Sequence, residues 1–322
     1  MSTPKAFDLL VVGEINPDLI LTGDVEPVFG QVEKLVDSAT LTVGSSSAIF
    51  ACGAARLGLK TAFVGVCGAD VFGRFMLEQM RLRGIDTDYV QVRAEGATGL
   101  SVILVRGVDR AILTYPGLIP ALRAEDVPSE VLGRVRHIHV ASYFLQTNLQ
   151  PGLPGLFREA RARGVTTSLD TNYDPSGQWQ GFETLLAETD VLFLNEVEAC
   201  SLSREADVES AARKLATRVG TVAIKLGARG ALAVQGHRRV YAPGLPVTVV
   251  DTVGAGDSFD AGFICGYLNG WDLERALRLA VICGSLSTRA AGGTAAQPTL
   301  TEALDVLVHW ERVGLSLSTG GQ

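Results

Sequence analysis

Cysteine is scarce, and what there is forms no pattern: Cys52, Cys67, Cys200, Cys265 and Cys283 are scattered through apolar sequence with no C-x-x-C pair. An odd, dispersed set excludes a disulfide framework and a cysteine metal cage, and reads as reduced core thiols of a cytoplasmic protein. Histidine is scarcer still. Only His137 and His139 lie close together, in a strand pattern that suggests no metal triad, so both are expected to be structural or at the surface. Positive charge is also short, with 28 Lys and Arg against 35 Asp and Glu, a net charge of −7 and a pI near 5.2. That balance disfavours nucleic acid or an anionic membrane as the main partner, since both require a basic footprint. No uninterrupted apolar run approaches the ~18 residues of a membrane span. Met1–Lys5 run straight into the strand-like stretch from Phe7 to Val12, so no secretory signal is expected, and the tail from Leu315 to Gln322 reads as frayed.

Several nucleotide and hydrolase motifs are missing as well. The chain has no G-x-x-x-x-G-K-[ST] and no G-x-S-x-G, and the protein-kinase signatures are absent. The turn after the first strand, Val12-Gly-Glu-Ile-Asn-Pro-Asp18, is not the dinucleotide fingerprint, which disfavours an NAD-dependent dehydrogenase.

What is present is a chain of 322 residues, 47% hydrophobic and 20% charged, able to bury a large core. Short apolar strands (9–13, 61–66, 135–141, 165–169, 191–194, 221–226) alternate with helical patterns (46–57, 71–83, 153–163, 208–218), the mark of a mostly parallel sheet covered on both faces. An edge hairpin is expected at 231–234 and 239–242, then helices near 257–268, 273–289 and 301–313. Strand-like pieces at 19–21, 35–36, 39–43, 99–106 and 110–115 have no crossover helices between them, so they predict a small separate sheet, a lid.

Ligands of such a sheet bind beyond the carboxyl ends of its strands. Asn16, Asp18, Asp170, Asn172, Asn195, Glu196, Glu198, Lys225, Gly227 and Asp251 all fall there; each alone is more often a cap or turn former, but five strand ends converge on one edge. Between the β-branched stretch Pro246–Val250 and a helical pattern stands Asp251-Thr-Val-Gly254-Ala255-Gly256-Asp257. A glycine turn opening a helix presents free N–H groups and the positive end of the helix dipole to an anion. Asp257 beside it is a candidate general base for a hydroxyl whose phosphoryl donor sits on those amides. The plainer alternative is a turn with an acidic cap.

Taken together these residues resemble the ribokinase-like (PfkB) carbohydrate and nucleoside kinases. The resemblance rests on residues 251–259, on 44–58 followed by 63–73, on Asn195-Glu-Val-Glu198 and on Lys225-Leu-Gly-Ala-Arg-Gly230. It implies one α/β domain over 1–322, a three-layer αβα sandwich, with the lid formed from about 18–43 and 97–117, and a homodimer through the lid. It implies ATP and Mg²⁺, with Asp257 as base and Gly254, Ala255 and Gly256 as the anion hole. Asn195, Lys225, Gly227 and Gly230 would border the nucleotide, and Glu198 would act on Mg²⁺ through water. Asp251 and the Val253 carbonyl would hold a monovalent cation such as K⁺, with the loop 290–294 beside it. Asn16, Asp18, Gly44, Ser45 and Arg110 would bind a small polyol or sugar, Arg110 reading alternatively as a solvated lid charge. The first signature departs from the family's Gly-Gly-x-x-x-Asn: Ser45 replaces the second glycine and Ile49 the asparagine, which predicts an apolar wall on the acceptor side. The expected activity is phosphorylation of a primary alcohol of a sugar or sugar-derived molecule. The alternatives are a nucleoside kinase and a non-catalytic nucleotide or metabolite sensor.

Overall fold

The computed structural model describes residues 5–107 and 109–318, with 311–318 described by backbone alone. Nine strands form the main sheet: β1 (Leu9–Val12), β4 (Thr61–Gly68), β5 (Asp86–Arg93), β8 (His137–Val140), β9 (Thr166–Asp170), β10 (Val191–Asn195), β11 (Thr221–Lys225), β12 (Gly230–Gln235) and β13 (Arg238–Pro243). The order is β13-β12-β11-β10-β9-β8-β1-β4-β5, parallel except for the antiparallel edge formed by β12 and β13. A second sheet, ordered β3-β2-β6-β7, contains β2 (Pro17–Thr22), β3 (Ser38–Val43), β6 (Leu100–Arg106) and β7 (Asp109–Tyr115). The helices are α1 (Ser46–Arg56), α2 (Val71–Leu82), α3 (Ser129–Leu132), α4 (Leu153–Ala162), α5 (Glu183–Leu186), α6 (Glu196–Ser203), α7 (Val208–Leu215), α8 (Ala255–Leu268), α9 (Leu273–Ser287) and α10 (Leu300–Ser318).

Alternation along the central strands explains the three layers. Leu9, Val11, Val191 and Phe193 pack into one core with α1, α8 and α9, whereas Leu10, Val12, Leu192 and Leu194 pack into the other with α4 and α7. Successive side chains of a strand point to opposite faces, so an unbroken apolar run is what a sheet covered on both sides requires. The fold is ribokinase-like, α/β. No helix among the described residues is long and apolar enough to cross a membrane.

Four expectations are corrected. Pro246–Val250 is not a strand: β13 already closes that edge of the sheet, and the Val250 N–H goes to the Thr288 carbonyl at the end of α9 (2.8 Å). Leu35 and Val36 lie in an exposed loop, held instead by Lys34 bonding to Asp24 and to the Glu26 carbonyl. Residues 86–93 form an edge strand that sequence reasoning passed over, because this half-exposed edge carries charged and polar residues. Leu315–Ser318 continue α10, while 319–322 lie outside the described residues.

Candidate active site

The turn after Asp251 enters α8 through Gly254, which caps the helix at φ 70°. A Cβ there would meet Gly293 Cα at 2.7 Å and Ile49 Cγ2 at 2.8 Å, so the chain can approach this closely only with glycine. Ile49 is therefore packed behind the turn, 3% exposed, and does not supply the acceptor-side wall its replacement of asparagine suggested. Ala255, Gly256 and Asp257 form the first turn of α8, whose N–H groups have no intrahelical partner. Asp257 is 7% exposed. Burial pushes its carboxyl well above the usual carboxylate range; Asp170 and Glu14 push the same way, and Lys225 and the Ser46 hydroxyl oppose them.

Beside Asp257 the ends of β9 and β11 meet α8. The Lys225 Nζ lies 2.6 Å from Asp170 Oδ2 and 3.2 Å from each oxygen of Asp260. Burial would neutralise the amine, but Asp170, Asp260 and Glu198 hold it firmly protonated. Against its own burial, Asp170 is kept ionised by Lys225, with the Asn172 N–H adding to this (3.0 Å). Burial pushes Asp260 well above the usual range; Lys225 opposes this and Asp170 adds to it. Asp170, Asp257 and Asp260 bring oxygens within 4.8 Å of one another, the spacing of a cation site, yet the cation seated there is the lysine ammonium. Asp260 was missed in the sequence, although its spacing of one turn from Asp257 in an apolar helix puts both carboxyls on one face.

Asp18, Asn16, Gly44 and Arg110 meet where the second sheet overhangs this turn. Gly44 is required because a Cβ would sit 2.1 Å from Asp18 Oδ1. Burial pushes Asp18 up to about 7, with Arg110 lowering it and Asp251 and Glu14 raising it. Asn16 Nδ2 donates to Ser101 Oγ (3.3 Å) and Arg110 Nη1 to Thr252 Oγ1 (3.2 Å), so the Arg110 guanidinium reaches the turn and is not a free lid charge. Ser45, at φ 67°, spends its hydroxyl on structure: it donates to the Glu14 carbonyl (2.7 Å) and accepts the Ala48 N–H at the start of α1 (3.0 Å). Glu14, also missed, is 3% exposed and accepts from Ser142 Oγ (2.9 Å) and Ser47. Asn172 ties the group together, donating to Ser46 Oγ (3.1 Å) and accepting the Ser142 N–H (2.7 Å).

On the other side of the first turn of α8 opens a cleft of about 540 Å³ lined by Lys225, Gly227, Gly230, Val247, Gly256 and Ser285 among others. Asn195 and Glu198 cap α6 reciprocally, the Glu198 N–H to Asn195 Oδ1 (2.9 Å) and the Asn195 N–H to Glu198 Oε2 (2.7 Å). Burial and Asp170 push Glu198 up to about 7, with Lys225 pulling it down. Glu198 is 5% exposed and, like Asn195, is not among the residues that line the cleft, so it would act on Mg²⁺ through water, as a cation that binds through one or two carboxylates, waters and phosphates allows. Asp251 accepts the N–H groups of Val253 (3.0 Å) and Gly292 (2.8 Å), which joins the turn to the 290–294 loop. His137 and His139 are wholly buried and share Ser168 Oγ (2.7 and 2.8 Å). Burial keeps both neutral, so they are structural.

A parallel αβα body, a β lid over its carboxyl edge and a glycine-turned helix in the cleft define a ribokinase-like kinase, an ATP-dependent small-molecule phosphotransferase. Residues 6–300 match the pfkB family of carbohydrate kinases. An uncharacterised sugar kinase of Archaeoglobus fulgidus is 33% identical over 235 residues, 70% of this chain and 90% of the relative. A 5-dehydro-2-deoxygluconokinase of Geobacillus thermodenitrificans is 29% identical over 95% of this chain and 94% of its own. Among solved structures, an Escherichia coli protein described as a ribokinase II, in complex with ATP and Mg²⁺, superposes with a TM-score of 0.85 at 23% identity, covering 94% of this chain and 99% of its own. The chain belongs to the pfkB carbohydrate kinase family.

Proposed function

We propose that this kinase transfers the terminal phosphoryl group of ATP to a primary hydroxyl of a small sugar or sugar-derived acceptor. The observation that carries the proposal is the setting of Asp257: a buried carboxyl on the first turn of α8, between the nucleotide-sized cleft and the Asp18–Arg110 group. Asp257 takes the acceptor's proton as its oxygen attacks, and the Gly256 N–H, freed by the Gly254 turn, holds charge on the phosphoryl group, whereas the Ala255 N–H is already directed at the Thr252 carbonyl (3.3 Å). Asp18, ionised, accepts from acceptor hydroxyls, with Asn16 and the backbone at Gly44 and Ser45 beside it and Arg110 closing over it. Gly227, Gly230 and Lys225 border the nucleotide, and Asn195 holds Glu198 toward its phosphates. Mg²⁺, when bound near Glu198, neutralises phosphate charge. Asp251 with the Val253 carbonyl is the candidate seat for K⁺. An apolar acceptor-side wall at Ile49 would have suited the base of a nucleoside; with Ile49 buried behind the glycine turn that support is gone, and the sugar reading is preferred.

Asp257→Asn keeps the shape of the site and removes the base. The expected result is a loss of kcat of about 10²–10⁴-fold with nucleotide affinity nearly unchanged. Substrate-dependent ADP release, measured over a panel of sugars, sugar acids and nucleosides, checks it. Near-normal turnover in the variant removes Asp257 from the mechanism, and no ADP release with any acceptor leaves only the sensor.

A further inference from the structure

Lys225 stands out as a paired, largely buried cation on the wall of the cleft. An ammonium has three N–H donors. The Lys225 Nζ lies within bonding distance of Asp170 Oδ2 and of the two oxygens of Asp260, yet the side chain remains 15% exposed and lines the nucleotide-sized cleft. Its Nζ lies 3.4 Å from where a Cβ of Gly256 would stand, against the turn of α8 that presents free amides. The two contacts to Asp260 are long and shared between its oxygens, at 3.2 Å each, so one donor satisfies both and the third can face the cleft.

Resting on the kinase reading above, we infer that Lys225 is a phosphate-directed cation, anchored by Asp170 and Asp260, whose remaining N–H binds the terminal phosphoryl group of the nucleotide beside the Gly256 amide. The anchor fixes the ammonium without spending its net effect. Asp170 Oδ2 takes the short contact to the ammonium (2.6 Å) from below, and Asp260 lies deep in the sheet–helix junction, so the side of Lys225 that lines the cleft is the side an incoming phosphoryl oxygen meets. A lysine acts on phosphate as a point charge, which suits a group that changes partner during transfer.

The inference makes Lys225 sense the third phosphate and not the first two. The experiment is calorimetric titration of a non-hydrolysable ATP analogue and of ADP into the wild-type chain, Lys225→Met and Lys225→Arg, each with Mg²⁺. Lys225→Met is expected to weaken the triphosphate about 10- to 100-fold and ADP less than about 3-fold, with Lys225→Arg recovering part of the difference, because a charged hydrogen bond is lost only at the terminal phosphate. Equal weakening of both nucleotides, or of neither, overturns it. If the single variant does not fold, judged by its far-ultraviolet dichroism, Lys225→Met with Asp170→Asn removes the stranded charge and is read by the same ratio. Failure of a wild-type chain to bind either nucleotide would overturn the kinase reading together with this one, whereas binding without discrimination by Lys225 overturns this one alone.

Discussion

Asp18 carries opposing demands in a single carboxyl. It is 6% exposed, and burial raises it to about 7 in the folded chain from 3.8. Between those values the native state holds a proton that the unfolded state releases, so folding stability falls as pH rises through that window. The cost at alkaline pH amounts to as much as about 4 kcal/mol at 1.36 kcal/mol per unit. Asp18→Asn, which cannot ionise, should therefore be more stable than the wild type at pH 8, with the advantage shrinking by about 2.6 kcal/mol at pH 5. Urea unfolding of both chains at the two pH values checks this, and a pH-independent difference would place Asp18 in a solvated setting. Activity should run the other way. Acceptor KM in the wild type is expected to fall as pH rises through 7, because only the ionised form accepts from two hydroxyls, while in Asp18→Asn KM is high and flat. Asp18 was singled out because it follows the first strand, and Asp257 because it follows the glycine turn that opens a helix. Glu14 and Asp260 were not, since nothing local separates a buried acid inside an apolar strand end or helix from a solvated one. Their burial is created by the packing of α1 and α8 against the sheet.

At the scale of elements, the body was legible wherever periodicity matched burial. β1, β10 and β11 are apolar on both faces because both faces are covered, and the helical patterns of α2, α4 and α7 survive in the structure within a few residues. Legibility failed where β-branched composition was not met by a free sheet edge. Pro246–Val250 has the residues of a strand, but β13 holds the edge, and the segment lines the cleft instead. Edge strand β5 failed in the opposite sense, with its polar, half-exposed residues hiding a parallel pairing with β4. The entrance to α8 was read correctly, and its two glycines can be told apart experimentally. Gly254→Ala forces a Cβ to within 2.7 Å of Gly293 Cα at a positive φ, and should cost about 1–3 kcal/mol and lower the melting temperature. Gly256→Ala meets nothing nearer than Lys225 Nζ at 3.4 Å and gains helix propensity. It should melt no lower than wild type while losing activity, because the added methyl faces the cleft. Thermal melts and kcat of the two variants check the pair; equal melting temperatures would mean that the turn does not impose the backbone described here.

For the whole molecule, the open question is what covers the outside of the lid. The inner face of the second sheet is accounted for: Ile20 and Ile103 pack with Val253 on the glycine turn, and Arg110 reaches Thr252. The outer face is apolar too. Register places Leu41, Leu19, Val102 and Leu113 side by side across β3, β2, β6 and β7, with Leu113 60% exposed. A sheet with one face in water should alternate apolar and polar residues along its strands, and this one, whose central strands β2 and β6 run parallel, carries a row of four aliphatic side chains on its outer face that calls for a cover. A second copy of the same row, related by a twofold axis, is self-complementary and closes without leaving a free patch. We therefore propose a homodimer through the lid. Leu113→Glu places a carboxylate at the exposed end of the row and, by symmetry, a second one on the partner's row, so light scattering after gel filtration should shift from twice the 34.0 kDa chain mass to the chain mass. Because the inner face keeps its contacts with Val253, kcat should survive better than acceptor affinity, the unpaired lid closing less often over Asp18. A wild-type chain that is monomeric at tens of micromolar, or a Leu113→Glu chain that remains dimeric, would move the interface elsewhere and leave the apolar row without this explanation.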